Sequence, residues 1–300
     1  MTTPEEQARP VNEPRDASAL TSRKPREVSA GFVVFMVSVF MLPMVLTRQG
    51  LALGLELHWL SESTGQLIGQ TLLNYLPFFA ILGALWWRVG RLSPHDLGLV
   101  RSHLAPALLW GLGFWIAAQL LALGMTGGEF APAPLISGGR ESTATIGRLL
   151  GQLLGNALCE ELFWRGFVMV QLSAIVCRRF KLSPTRALLI GVLVSSLLFA
   201  LSHLPRDLET DATAKQLVVL QVAWFAGGLA FAGLYALSGN LFLAIVFHSL
   251  SNTPTPLLEG FAPTAAQAYF ALAPLGCLAM LRMLRGPGKP ADTPASNDGA

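Results

Sequence analysis

The chain has 300 residues, 52% hydrophobic and only 13% charged, where a soluble domain carries about 25% charged residues. Its net charge of +3 comes without a basic stripe interleaved with aromatics, which excludes a nucleic-acid footprint. A mean hydropathy of +0.52 puts it among membrane proteins, so hydrophobic spans rather than soluble domains organise it.

Residues 1–28 are polar, carry Pro4, Pro10, Pro14 and Pro25, and read as a disordered cytoplasmic tail. The apolar run from Phe32 to Leu46 follows with no small-residue cleavage site after it and reads as an uncleaved first span. Further runs at lengths that can cross a core of roughly 30 Å are Leu67 to Trp87, Ala105 to Met125, Leu149 to Val176, Ala187 to Leu204, Leu217 to Leu237 and Ala265 to Leu284, and Leu241 to Asn252, short in apolar terms because His248 and Asn252 weaken it, is counted with them as the seventh span. They predict an all-α, polytopic transmembrane bundle of about eight spans over 29–285. Residues 286–300, rich in Gly, Pro, Ala and Asp, read as a second disordered tail.

Basic residues fall in every second connection. Arg23, Lys24 and Arg26 precede the first span, Arg88, Arg91 and Arg101 follow the second, Arg178, Arg179, Lys181 and Arg186 follow the fourth, and Arg282, Arg285 and Lys289 follow the last. The alternate connections hold acids: Glu56 and Glu62, Glu129 and Glu141, Asp207, Glu209 and Asp211, and Glu259. The positive-inside rule then places both termini in the cytoplasm of a multi-pass membrane protein. Short loops and an Ala-, Leu- and Gly-rich style point to a bacterial inner membrane. Cys159, Cys177 and Cys277 form no CxxC pair and read as buried thiols. Gly227, Gly228 and Gly233, with Ala226, Ala230 and Ala232, mark close helix packing on the sixth span.

Three groups of polar residues interrupt the apolar spans. On the fourth, Glu160, Glu161 and Arg165 lie in LGNALCEELFWRG, where each charge costs roughly 2.5–3.5 kcal/mol on insertion scales. Glu161 and Arg165 stand at i and i+4 with the acid first, the favourable order for a helical pair. Glu160 is turned about 100° away from Glu161 and is left over as a candidate general base. On the fifth span Phe199 and His203 are at i and i+4, and on the seventh His248 and Asn252 repeat the spacing. Converging on one cavity, a Glu, two His and an Asn can deprotonate water and stabilise an oxyanion. A zinc site on Glu160, His203 and His248 is the alternative, two His and a Glu being a known catalytic ligand set.

Glu160-Glu161-x-x-x-Arg165, Phe199-x-x-x-His203 and His248-x-x-x-Asn252, in that order on successive helices, resemble the three motifs of the CPBP family of intramembrane proteases. The family includes CAAX prenyl proteases and the bacteriocin-processing or immunity (Abi) proteins. The resemblance covers about Leu149 to Asn252, inside a core expected at about 145–255. It implies an all-α membrane bundle that hydrolyses peptide bonds of a peptide or membrane-protein substrate within the lipid bilayer. By the same resemblance Glu160 and His203 activate the water, His248 and Asn252 stabilise the oxyanion, and Glu161, Arg165 and Phe199 support them. The family is labelled both as metalloproteases and as metal-free glutamate proteases, so zinc is possible and not required. HExxH and GxSxG are absent from the sequence. Two other classes remain open: a non-catalytic immunity or scaffold protein on the same fold, and a proton-coupled transporter, since buried Glu and His also build proton relays.

Overall fold

The computed structural model describes residues 25–46, 57–125, 135 and 138–255. The last expected span, Ala265 to Leu284, and nearly all of both tails lie outside the described residues. Among the described residues the chain is helical, with no strand. In order, the helices are α1 (Ala30–Leu46), α2 (His58–Ser63), α3 (Gln70–Ala84), which continues in a π-helical turn (Leu85–Val89), and α4 (Leu104–Met125). Then come α5 (Gly139–Leu153), α6 (Asn156–Glu161), a π-helical segment (Leu162–Met169), α7 (Val170–Phe180), α8 (Pro184–Asp207), α9 (Ala214–Ser238) and α10 (Leu241–Asn252). Gln70–Val89, Arg101–Leu120, Pro184–Asp207 and Ala214–Ser238 are long and apolar enough to cross a membrane.

The expected fourth span is built differently from a single helix. It breaks at Leu154 and Gly155, where Gly155 takes φ −120° and ψ −100°. The part before the break, α5, is amphipathic: Ala144, Thr145, Gly147 and Gly151 face inward, and its outer face carries Arg140, Glu141 and Arg148. A Cβ at Gly147 would come within 1.9 Å of the Gln66 carbonyl oxygen, so α5 lies directly against the start of the α3 region. After the break, α6, the π segment and α7 run on without interruption from 156 to 180, about 37 Å of helix.

Local chemistry explains the other boundaries. Ser183 caps α8 by accepting from the Arg186 amide, with Pro184 in the first turn. Thr213 and Gln216 form a reciprocal capping box on α9, which ends at Gly239 with φ 65°. Asn240 caps α10 through the Leu243 amide and donates from Nδ2 to the His103 carbonyl at 2.8 Å, tying α10 to the foot of α4.

The core is aromatic on the back of the π segment. Phe40 stacks on Phe163 at 4.0 Å, and Phe78 and Trp164 each meet Phe40 edge-on. Gly166 lets the 92–98 loop sit on the same segment, since a Cβ there would meet the Leu97 carbonyl oxygen at 2.3 Å. The small residues of α9 do pack closely: a Cβ at Gly228 would lie 2.9 Å from the Ser196 Cβ on α8. Helix α10 is the hub, touching α4, α5, α6 and α9. Most of α4's large apolar side chains, including Leu109, Trp110 and Leu120, face outward, as lipid-facing residues do.

Arg26, Glu27 and Val28, read from sequence as the end of a tail, are docked on the bundle. Gln171, 1% exposed, receives the Val28 amide on Oε1 and donates to the Arg26 carbonyl, at 2.9 and 2.8 Å. Arg26 also bonds Asp96 and the Arg91 carbonyl, and Glu27 pairs with Arg178. A buried amide offering both a donor and an acceptor is what orders this backbone.

Candidate active site

The break at Gly155 starts α6 on a fresh register, and its first turns carry Asn156, Glu160 and Glu161 toward α10. Glu160, Glu161, Arg165 and His248 form one cluster in which none is more than 5% exposed. Arg165 Nη1 donates to Glu161 Oε1 at 3.0 Å, and Nη2 donates to the Gly228 carbonyl at 3.2 Å. The same Glu161 oxygen lies 2.7 Å from His248 Nδ1, which donates to it because a carboxylate oxygen only accepts. On the other side of the ring, His248 Nε2 is 3.7 Å from Glu160 Oε2. That Glu160 oxygen accepts no hydrogen bond among the described residues. Glu161 therefore holds more than the expected pair with Arg165; it also fixes the imidazole that faces Glu160.

Aromatic faces hold the cluster. Phe231 stacks on His248 at 4.6 Å, and the Arg165 guanidinium lies 4.4 Å above the Phe199 ring. Such a cation–π contact offsets part of the cost of a buried charge. Two carboxylates against one guanidinium leave one negative charge, which a single further proton on His248 or Glu160 cancels.

His203 joins through Phe199 and Trp224. Its Nδ1 is 2.8 Å from the Phe199 carbonyl oxygen, so Nδ1 carries the proton and Nε2 of the neutral ring is an acceptor. Its ring lies 4.2 Å from that of Trp224 with an interplanar angle of 19°. Asn252, at the end of α10, donates from Nδ2 to Gln152 Oε1 at 3.0 Å. Gln152 Oε1 accepts from Asn156 Nδ2 as well, and Tyr75 donates to Asn156. A chain of amides and a phenol thus lines the α5–α6 break beside Asn252.

A zinc site is not preassembled in this structure. Among the described residues no group of three or more His, Cys, Asp or Glu side chains is placed to hold a metal ion. Glu160, His203 and His248 are not gathered as such a group, although each histidine commits Nδ1 and leaves Nε2 open, as metal-ligating histidines do.

Residues 142–254 match the family described as Rce1-like, type II CAAX prenyl endopeptidase. The match supports the resemblance of the three motifs to the CPBP family of intramembrane proteases. The match spans α5 to α10 and leaves α1 to α4 outside it. No curated protein and no solved structure gives a match.

Within the matched residues, sequence reasoning missed those that hold the motif side chains: Gln152, Trp224, Phe231 and the Gly228 carbonyl. One signal was available. Gln152, Asn156 and Glu160 recur every four residues, a polar row through an apolar segment. Trp224 and Phe231 read as ordinary span residues because their partners lie on other helices.

Proposed function

We propose that the protein is an intramembrane endopeptidase in which Glu160 takes the proton from a water that attacks a peptide carbonyl. The observation that carries this reading is the Glu160 carboxylate itself, 5% exposed, with Oε2 unbonded among the described residues and 3.7 Å from His248 Nε2. That gap is too long for a direct hydrogen bond and suits a shared water. His203, its Nδ1–H committed to Phe199, offers Nε2 as a second acceptor to orient the water.

The water oxygen attacks the carbonyl carbon as its proton passes to Glu160, and the carbonyl π pair becomes the oxyanion. As an imidazolium, His248 donates from Nδ1 to Glu161 and from Nε2 to that oxyanion, with Asn252 Nδ2 as a second donor. Collapse expels the amine, which takes the proton from Glu160. Glu161 and Arg165 aim His248 and do not touch the substrate. No step is routed through a metal, and metal analysis of the purified protein separates the glutamate and metallo-mechanisms. The substrate is a peptide or membrane-protein segment reaching the site from the bilayer or the adjoining water. The protein sits in a bacterial inner membrane with both termini cytoplasmic.

The test is a search for peptides whose cleavage depends on Glu160, in membranes and with purified protein. Glu160→Gln should lower the rate by about 10²–10⁴-fold, the usual worth of a general base, without lowering the Tm. A purified Glu160→Gln protein that still cleaves at the wild-type rate refutes the reading. A partner-binding phenotype that survives the same substitution favours a scaffold.

A further inference from the structure

The proposed chemistry leaves one buried carboxylate unused. Asp207, the last residue of α8, is 3% exposed. Its Oδ2 accepts from Trp224 Nε1 at 2.8 Å and from Gln221 Nε2 at 3.1 Å, both on α9, while Arg206 Nη2 lies 3.4 Å from Oδ1. The indole it anchors is the one on which His203 lies, 4.2 Å away and 19° from parallel. His203 and Asp207 stand one turn apart on the same face of α8. The path therefore leaves α8 at Asp207, crosses to Trp224 on α9 and returns to α8 at His203.

We infer that Asp207 and Trp224 are positioning residues that set the plane of the His203 ring, an inference that rests on the endopeptidase reading. An imidazole hangs on two side-chain torsions. Nδ1 meets the Phe199 carbonyl at 2.8 Å and the Ser202 hydroxyl at 3.4 Å, which fixes which edge of the ring faces the backbone, yet contacts at one ring atom let the ring swing about it. Stacking on Trp224 removes that freedom and fixes the direction of Nε2. The indole is a useful reference plane only while its own rotation is stopped, and the N–H bond to Asp207 stops it. Burial makes that bond costly to lose, since an unpaired indole N–H would remain.

Two readouts separate positioning from a mere tie at the helix end. The first is the His203 ring-proton NMR signal in the purified full-length protein, identified by its loss in His203→Gln. The Trp224 ring current should hold it upfield of an unstacked histidine. Trp224→Leu should abolish that displacement, and Asp207→Asn should reduce it. The second is kinetics on a peptide found as above. Asp207→Asn and Trp224→Leu should lower kcat by about tenfold to a hundredfold, the scale of a misplaced catalytic group, with KM unchanged. Trp224→Phe, which keeps a ring and loses the N–H, should fall between wild type and Trp224→Leu. It carries the test if Asp207→Asn does not fold. Folded variants with wild-type kcat, or with an unmoved His203 signal, overturn the inference. A signal that moves as expected in a protein that cleaves no peptide refutes the peptidase reading alone and upholds the platform.

Discussion

Glu161→Ala and Arg165→Ala should damage the protein in a different way from Glu160→Gln. Glu161 Oε1 receives both Arg165 and His248, and Arg165 is fully buried with a second bond to the Gly228 carbonyl. Removing either partner strands a charge in an apolar interior, at a cost of about 3–5 kcal/mol. A large fall in Tm and in membrane yield is expected from both, measured on detergent-solubilised protein. Glu160 has no such bond to lose on Oε2, so Glu160→Gln should leave Tm near wild type. Equal falls for all three would place Glu160 in the same structural unit and remove the reason for treating it as reactive.

At the scale of elements, the docked segment at residues 26–28 answers to pH through Asp96. Partial burial pushes the Asp96 carboxyl up, but it is outweighed by hydrogen bonds from the Ser93 hydroxyl and from the Arg26 and Ser93 amides, so the group lies below its ordinary 3.8. A carboxyl depressed by folding contributes stability that is fully present above its unfolded value and is lost as pH falls through the folded value. Amide-exchange protection at Arg26 should therefore hold from neutral pH to about pH 4 and decline below it. Protection at Val28, which bonds Gln171 and not Asp96, should decline less. Equal loss at both amides would show that the segment is released as one piece by something other than Asp96.

The same scale shows what was legible in the sequence and what was not. The i, i+4 pairs Glu161–Arg165 and Phe199–His203 are contacts inside one helix, and each is present in the structure. Seven of the expected runs correspond to helical segments because apolar length is a local property. The break at Leu154–Gly155 and the π segment were hidden, since they depend on how α5 lies across α3 and how the 92–98 loop meets Gly166. The double use of Glu161 was hidden for the same reason: its second partner comes from a helix 87 residues away. The role of Gln171 was hidden too, since the backbone that it orders lies 145 residues away in the chain.

For the molecule as a whole, the candidate site lies toward the end of the bundle away from the basic loops. Helix α8 starts after Arg178, Arg179 and Lys181 and reaches His203 four residues before its end, and α10 starts just after its cap Asn240, which bonds the His103 carbonyl, and ends at Asn252. Glu160 is among the first residues of the helix that finishes at Phe180. The contacts of Arg26 with Asp96 and Arg91, and of Glu27 with Arg178, gather three basic segments at the opposite end. The site end is mixed, with Arg140, Arg148, Arg206 and Lys215 set against Glu62, Glu141, Asp207, Glu209 and Asp211. If the basic end is cytoplasmic, as the charge rule requires, the site lies away from the cytoplasm, and on the endopeptidase proposal its substrate is a segment that has already crossed the membrane. A variant with Cys159, Cys177 and Cys277 replaced, carrying a single new cysteine at Asp211 or at Arg91, tests this with a membrane-impermeant thiol reagent on intact cells. Asp211→Cys should label and Arg91→Cys should label only after the cells are opened. The reverse pattern would invert the bundle and direct the search for substrates to cytoplasmic peptides.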